Sequence, residues 1–141
     1  MTTTRSKYGN KKVIFAGIEF DSKDECDYYM YLLHLQTKKI VKTIVMQPKV
    51  ILIDKFERDG KKYRATTYTP DFLVTYYNNK QEYIDVKGFS TQQGDLRRKL
   101  FESKYDVPLK WIAKSKKYSE SGWIDYDTLQ RLRRENKKVV G

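Results

Sequence analysis

The chain has 141 residues, the length of one domain, and 39% hydrophobic residues with 12 Tyr are enough for a buried core. One Cys and one His exclude an intramolecular disulfide, a Cys-rich zinc site and a multi-His metal site. The net charge of +11 favours a polyanionic partner, first of all nucleic acid. The N-terminus has no signal-peptide pattern and the longest aliphatic run, 50–53, is too short to span a bilayer. We therefore expect a cytoplasmic protein with no membrane partner.

The N-terminal part of the chain predicts an arm, a strand and a helix. Residues 1–12 are polar and basic and indicate a flexible N-terminal arm. Residues 13–20 are rich in apolar side chains and predict a short strand, which Gly17 interrupts. Ser22 followed by Glu25 fits a capping box, and the apolar spacing after it predicts a helix that ends near Lys38.

The middle of the chain predicts an antiparallel meander. Residues 40–53 are rich in β-branched side chains and predict a strand that Pro48 interrupts. Asp59-Gly60 is a hairpin turn signal, residues 63–76 read as extended apart from Thr69-Pro70, and residues 82–87 follow as a further strand.

The C-terminal part predicts a helix over 95–105, a strand over 109–113, a last helix over 125–135 and a fraying tail over 137–141. The fold class is therefore α/β: one domain over 13–136, in which helices flank a mixed sheet.

Three charged side chains are expected to converge on one face of this sheet. Asp85 and Lys87 are two residues apart on a strand and point the same way. A three-residue loop over 78–80 would pair Phe72 with Val86 and give a clean apolar face. On the opposite face, that register places Asp71 across from Lys87 and diagonal to Asp85.

Two carboxylates beside one ammonium favour metal-assisted phosphodiester hydrolysis. Hard carboxylate oxygens suit Mg²⁺ or Mn²⁺, and such an ion lowers the pKa of a bound water. Lys87 would orient that water or stabilise charge on phosphorus. Glu25 would supply a third carboxylate if its helix packs beside the sheet. Three of these residues have a simpler alternative. Asp85 and Lys87 could form an ordinary surface ion pair, and Glu25 could serve only to complete the capping box.

Pro70-Asp71, Asp85-Val86-Lys87 and the helical Glu25 resemble the PD-(D/E)XK nuclease superfamily, and in particular its small phage and prophage members. More distantly, the pattern is similar to Holliday-junction resolvases and transposon endonucleases. The resemblance covers about residues 13–115 and implies the restriction-endonuclease-like αβββαβ core.

The resemblance also implies roles for individual residues. Asp71 and Asp85 would be metal ligands, the backbone carbonyl of Val86 would fill a coordination position, and Glu25 would act directly or through water. Lys87 would be the catalytic lysine, and the products would carry 5′-phosphate and 3′-hydroxyl ends. Asp85 stands where many members have Glu, which that pattern permits.

The region after the proposed site is strongly basic. Residues 87–117 hold nine Lys or Arg and three Asp or Glu, a difference of +6. Arg97, Arg98, Lys99 and Lys104 are the candidates for phosphate contact, with a solvated helix face as the alternative. The resemblance implies that one basic residue of 97–99 assists the active site, and the sequence leaves open which one.

The resulting expectation is a Mg²⁺-dependent DNA endonuclease, phage-encoded, acting in DNA recombination or repair. Branched DNA such as a Holliday junction is the favoured substrate, and a homodimer would suit the cutting of two strands. The alternatives are a catalytically inactive nuclease-fold module that binds DNA or RNA, and a protein-interaction factor whose basic charge is incidental.

Overall fold

The computed structural model describes residues 12–140, so most of the expected arm over 1–12 lies outside the described residues. In chain order the elements are β1 (Val13–Phe15), β2 (Ile18–Phe20), α1 (Lys23–Thr37), β3 (Val41–Met46), β4 (Val50–Ile53), β5 (Phe56–Arg58), β6 (Lys61–Tyr63), β7 (Thr66–Tyr68), β8 (Phe72–Tyr76), β9 (Gln81–Val86), α2 (Gln92–Lys104), β10 (Leu109–Lys114), β11 (Trp123–Asp125) and α3 (Tyr126–Val140).

The central sheet has five strands in the order β11-β10-β9-β8-β3. β9 and β10 are parallel and the other neighbouring pairs are antiparallel. Because parallel neighbours need a crossover connection, α2 links β9 to β10 across the sheet. The order α1, β3, β8, β9, α2, β10 confirms the predicted αβββαβ arrangement of a mixed sheet flanked by helices.

Each face of the sheet has its own hydrophobic core. On one face α1 packs through Leu32 against Phe72 and Ile84, and on the other α2 and α3 pack through Phe101 and Leu129. Burial of each such side chain stabilises the fold by about 1.5–3 kcal/mol. The alternation along β8 and β9 therefore determines which side chains each helix covers.

The β8–β9 register differs from the predicted one by two residues. Phe72 pairs with Ile84 instead of Val86, because the three-residue loop is 77–79 and the N–H of Tyr76 donates to the carbonyl of Lys80. A shift of two preserves which side chains share a face. Continued by one residue, the observed register sets Asp71 opposite Asp85 and diagonal to Lys87.

Several element boundaries differ from the predicted ones. The stretch 40–53 forms two strands in different sheets, separated at Gln47 (φ 47°) and Pro48. Helix α2 begins three residues before the expected 95, because Thr91 caps it by accepting a hydrogen bond from the N–H of Gly94. Strand β11 was not predicted, and α3 continues to Val140 beyond the expected end at 135.

Within residues 12–140, every helix is too short or too polar to cross a bilayer.

Candidate active site

The position of Asp71 is determined by the chain just before β8. Pro70 is fully buried, and the N–H of Gln47 donates to the carbonyl of Asp71 at 2.9 Å. The Asp71 side chain accepts a hydrogen bond from the N–H of Val86 at its Oδ2, at 2.7 Å. These contacts tie the end of β3, the start of β8 and the end of β9 into one corner of the sheet.

Asp85 lies in that corner and is held by Tyr68 and Lys87, of which Tyr68 is in turn held by Trp111. The Tyr68 hydroxyl donates to Asp85 Oδ2 at 2.6 Å, and Trp111 Nε1–H donates to the same hydroxyl at 3.2 Å. Lys87 Nζ lies 2.9 Å from Asp85 Oδ2 and 4.9 Å from the centroid of the Trp111 ring. Asp85 is only 6% exposed, so this buried carboxylate has a fixed orientation and one cationic partner.

Asp71, just before β8, and Asp85, on β9, are neighbours across the ladder and lie on the same face of the sheet. Burial raises the pKa of Asp71 well above its ordinary value, and the charges of Asp85 and Glu25 raise it further. A side-chain hydrogen bond to Asp85 acts in the same direction, while the Val86 N–H opposes the shift. Without a cation, the pair therefore favours keeping a proton.

Glu25, in the first turn of α1, is the third carboxyl group of the site beside Asp71 and Asp85. Its N–H donates to Ser22 Oγ at 3.1 Å, which is one half of the capping box. Its side chain is buried, and Oε1 has no hydrogen-bond partner. Burial raises the pKa of Glu25 to about 7, the charges of Asp21 and Asp85 add to this, and a hydrogen bond with the Asp21 backbone opposes it.

The donor set suits a hard divalent cation. The described residues contain no group of three His, Cys, Asp or Glu side chains already arranged to hold one ion. The fit rests on the adjacent carboxyls of Asp71 and Asp85, and on the buried Glu25 Oε1 that lacks a partner. Oxygen ligands of this kind are those that Mg²⁺ and Mn²⁺ prefer. For Val86, the contact seen is through its N–H, and ligation by its carbonyl stays a prediction.

The four basic candidates on α2 fall into different environments. Arg98 forms a bidentate pair with Asp127 of α3, at 3.1 and 2.6 Å, and its guanidinium lies 4.5 Å from the Trp111 ring centroid. Lys104 is exposed, 3.9 Å from Asp54. Arg97 is half-buried and Lys99 is exposed, and neither has an ion pair within residues 12–140. Arg98 thus joins two helices, while the other three remain candidates for phosphate contact.

Sequence reasoning missed the roles of Tyr68 and Arg98. Tyr68 lies three residues before Asp71, but its contact with Asp85 depends on how β7 packs on the sheet. The Arg98–Asp127 ion pair could not be predicted from sequence spacing, because the two residues lie 29 positions apart on different helices.

A surface cavity of about 570 Å³ lies away from these residues, at the opposite end of β8 and β9. Its buried acid, Glu82, accepts a hydrogen bond from the Tyr76 hydroxyl and pairs with Lys110 at 3.2 Å. Glu82 is therefore satisfied by protein groups, unlike Glu25.

A family described as Protein of unknown function (DUF1064) matches residues 5–120, and the chain belongs to that family. The match includes all of the candidate site residues from Glu25 to Lys87. Comparison with curated proteins and with solved structures gives no significant match.

Proposed function

We propose that the protein is a divalent-metal-dependent endonuclease that hydrolyses phosphodiester bonds in DNA. The observation that carries this proposal is the placement of Asp71 and Asp85 across from one another on one face of the sheet, with the ammonium of Lys87 at 2.9 Å from Asp85. The unpartnered Glu25 Oε1 and the net charge of +11 support it. The resemblance to PD-(D/E)XK nucleases assigns the same residues, with Lys87 as the catalytic lysine.

Asp71 and Asp85 would hold Mg²⁺ or Mn²⁺, with Glu25 acting through water. The ion would polarise the phosphate and make a bound water more acidic. Tyr68 and the N–H of Val86 orient the two carboxyls before substrate arrives, which lowers the cost of reorganisation. Lys87 would place positive charge against the phosphoryl oxygens as negative charge develops there.

The direct test is cleavage of labelled duplex, four-way branched and single-stranded DNA by the purified full chain, with Mg²⁺ or with EDTA. We expect cleavage that EDTA abolishes and that Asp71→Asn and Asp85→Asn reduce by about a hundredfold or more. Asp106→Asn, an exposed acid away from the site, is the matched control and should cut like the wild type. Equal cutting by all variants would indicate a contaminating nuclease and refute the proposal.

Binding without cutting would instead favour the inactive nucleic-acid-binding module. Four expectations stay predictions: the preference for branched DNA, the homodimer, the phage origin and the cytoplasmic location. The comparison of duplex, branched and single-stranded DNA tests the preference for branched DNA.

Lys87 has a separate, metal-binding test. The Lys87 ammonium competes with a metal for Asp85. Lys87→Ala should therefore bind Mn²⁺ as tightly as the wild type or up to about tenfold more tightly. A tenfold gain corresponds to loss of an Asp85–Lys87 ion pair worth about 1.4 kcal/mol. The same variant should not cut DNA. Lys114→Ala is the control, because Lys114 also pairs with a carboxylate, Asp27, and lies 5.8 Å from a Trp ring. Full cleavage by Lys87→Ala would remove Lys87 from the mechanism.

A further inference from the structure

Strands β5 and β6 form a two-stranded ribbon that makes no substantial contact with any other helix or strand of residues 12–140. The turn is Asp59-Gly60, whose φ angles of 52° and 79° suit a tight hairpin. All six strand residues are exposed. An isolated two-stranded hairpin is only marginally stable in water, so a ribbon built in this way gains stability when it binds a partner.

The surface of the ribbon combines aromatic rings with cations. Phe56 and Tyr63 stack at 4.6 Å and are 49% and 39% exposed, and Lys61 Nζ lies 4.8 Å from the Tyr63 ring centroid. Lys61, Lys62 and Arg64 form no ion pair within residues 12–140. Adjacent unpaired cations favour a polyanion over a neutral apolar partner.

The base of the ribbon is joined to the candidate active site. β7 continues β6 along the chain, and Tyr68 at its end donates to Asp85. The chain from Gly60 to Tyr68 has eight residue-to-residue steps and can span at most about 26 Å at about 3.3 Å per step. That reach corresponds to nearly eight base-pair steps of duplex at about 3.4 Å each.

We propose that the β5–β6 ribbon is a DNA-binding arm that lies in a groove of duplex DNA beside the scissile phosphate. The major groove of B-DNA is wide enough for a two-stranded β-ribbon. Lys61, Lys62 and Arg64 contact phosphates, and the pair Phe56–Tyr63 packs against the nucleotides between them. The position beside the scissile phosphate rests on the proposed function, whereas the binding of duplex DNA by the ribbon is tested separately from cleavage.

The test is the salt dependence of DNA binding by the full chain. Fluorescence anisotropy with a labelled 30-base-pair duplex in EDTA measures affinity between about 50 and 200 mM KCl without cleavage. Lys61→Ala/Lys62→Ala/Arg64→Ala should reduce the slope of log affinity against log salt by about 2 to 3, since each phosphate contact contributes about 0.9.

The control is a second triple variant with the same change in charge. Lys38→Ala/Lys42→Ala/Lys80→Ala removes three exposed lysines at the opposite end of the sheet and should leave the slope unchanged. Phe56→Ala/Tyr63→Ala should weaken binding by about tenfold with the slope unchanged, because apolar contact with the base edges and sugars that line the groove is not electrostatic. Urea unfolding confirms that each variant is folded.

Two results separate this inference from the proposed function. In the first, the wild type cuts DNA, but the Lys61/Lys62/Arg64 variant and the Lys38/Lys42/Lys80 control show the same dependence of affinity on salt as the wild type. The DNA-binding arm is then refuted and the nuclease stands. If no DNA is cut but the ribbon variant loses slope and its control does not, the arm stands and the nuclease is refuted. Equal loss of slope in both triple variants would show diffuse attraction by net charge and would also overturn the arm.

Discussion

Removing the negative charge of Glu25 should stabilise the metal-free protein at alkaline pH. The folded-state pKa of Glu25 is about 7, against an ordinary value of 4.5. Between these values the folded state binds more protons than the unfolded state, so stability falls as the pH rises. At about 1.4 kcal/mol per pH unit, the difference corresponds to about 3 kcal/mol lost between about pH 4.5 and 7. The raised pKa of Asp71 adds a loss of the same sign.

The assay is urea unfolding in EDTA between about pH 5 and 8. The wild type should lose stability across this range, and Glu25→Gln should lose about 3 kcal/mol less. Glu120→Gln replaces an exposed glutamate and should follow the wild-type curve. Parallel curves for the wild type and Glu25→Gln would refute the argument that this carboxylate is costly to ionise.

Repeating the measurement with Mg²⁺ in place of EDTA extends the test to the metal. A cation that binds only the folded protein raises the free energy of unfolding by mass action. The gain should be larger at pH 8 than at pH 6, because protons compete for the same oxygens. A gain that does not depend on pH would place the ion elsewhere on the protein.

Two further substitutions test the supports of the site by urea unfolding. Tyr68→Phe should lower the free energy of unfolding by about 1–3 kcal/mol, because the indole N–H of Trp111 loses its acceptor. Tyr83→Phe is the control and should change the free energy of unfolding little, because the Tyr83 hydroxyl has no hydrogen bond in the described part of the chain. Arg98→Ala should lower the free energy of unfolding by about 1 kcal/mol, because the partly exposed bidentate pair with Asp127 is lost. Arg97→Ala should leave the free energy of unfolding unchanged. Equal effects of the two substitutions would contradict the structural role of Arg98.

The face shared by the site residues was predictable, but their register was not. A strand alternates with a period of two, so Phe72, Val74 and Ile84 place Asp71 and Asp85 on the opposite face whether the three-residue loop is 77–79 or 78–80. The register depends on where the turn closes, and Asn79 adopts a φ of 67° that determines it. The sequence offers Asn78 and Asn79 equally for that conformation.

The sequence also did not allow us to predict that residues 40–53 are divided between two sheets. It depends on Gln47, which has a φ of 47° immediately before Pro48, where local preference favours extended backbone. The N–H of Gln47 donates to the Asp71 carbonyl, so a tertiary contact stabilises the bend. The bend directs β4 away from the central sheet and toward α2, and this brings Tyr68 of the paired strand β7 to Asp85.

The charge balance of the site links these observations to one another. Glu25, Asp71 and Asp85 together carry three negative charges when ionised, and Lys87 supplies one positive charge, which leaves a formal charge of −2. In a buried corner this excess is costly, and raised pKa values are one way to remove it. A divalent cation would remove it completely without any proton. Under the proposed function, protons and Mg²⁺ would compete for the same oxygens. The pH at which the metal-free protein loses stability should then be the pH above which it binds the metal best.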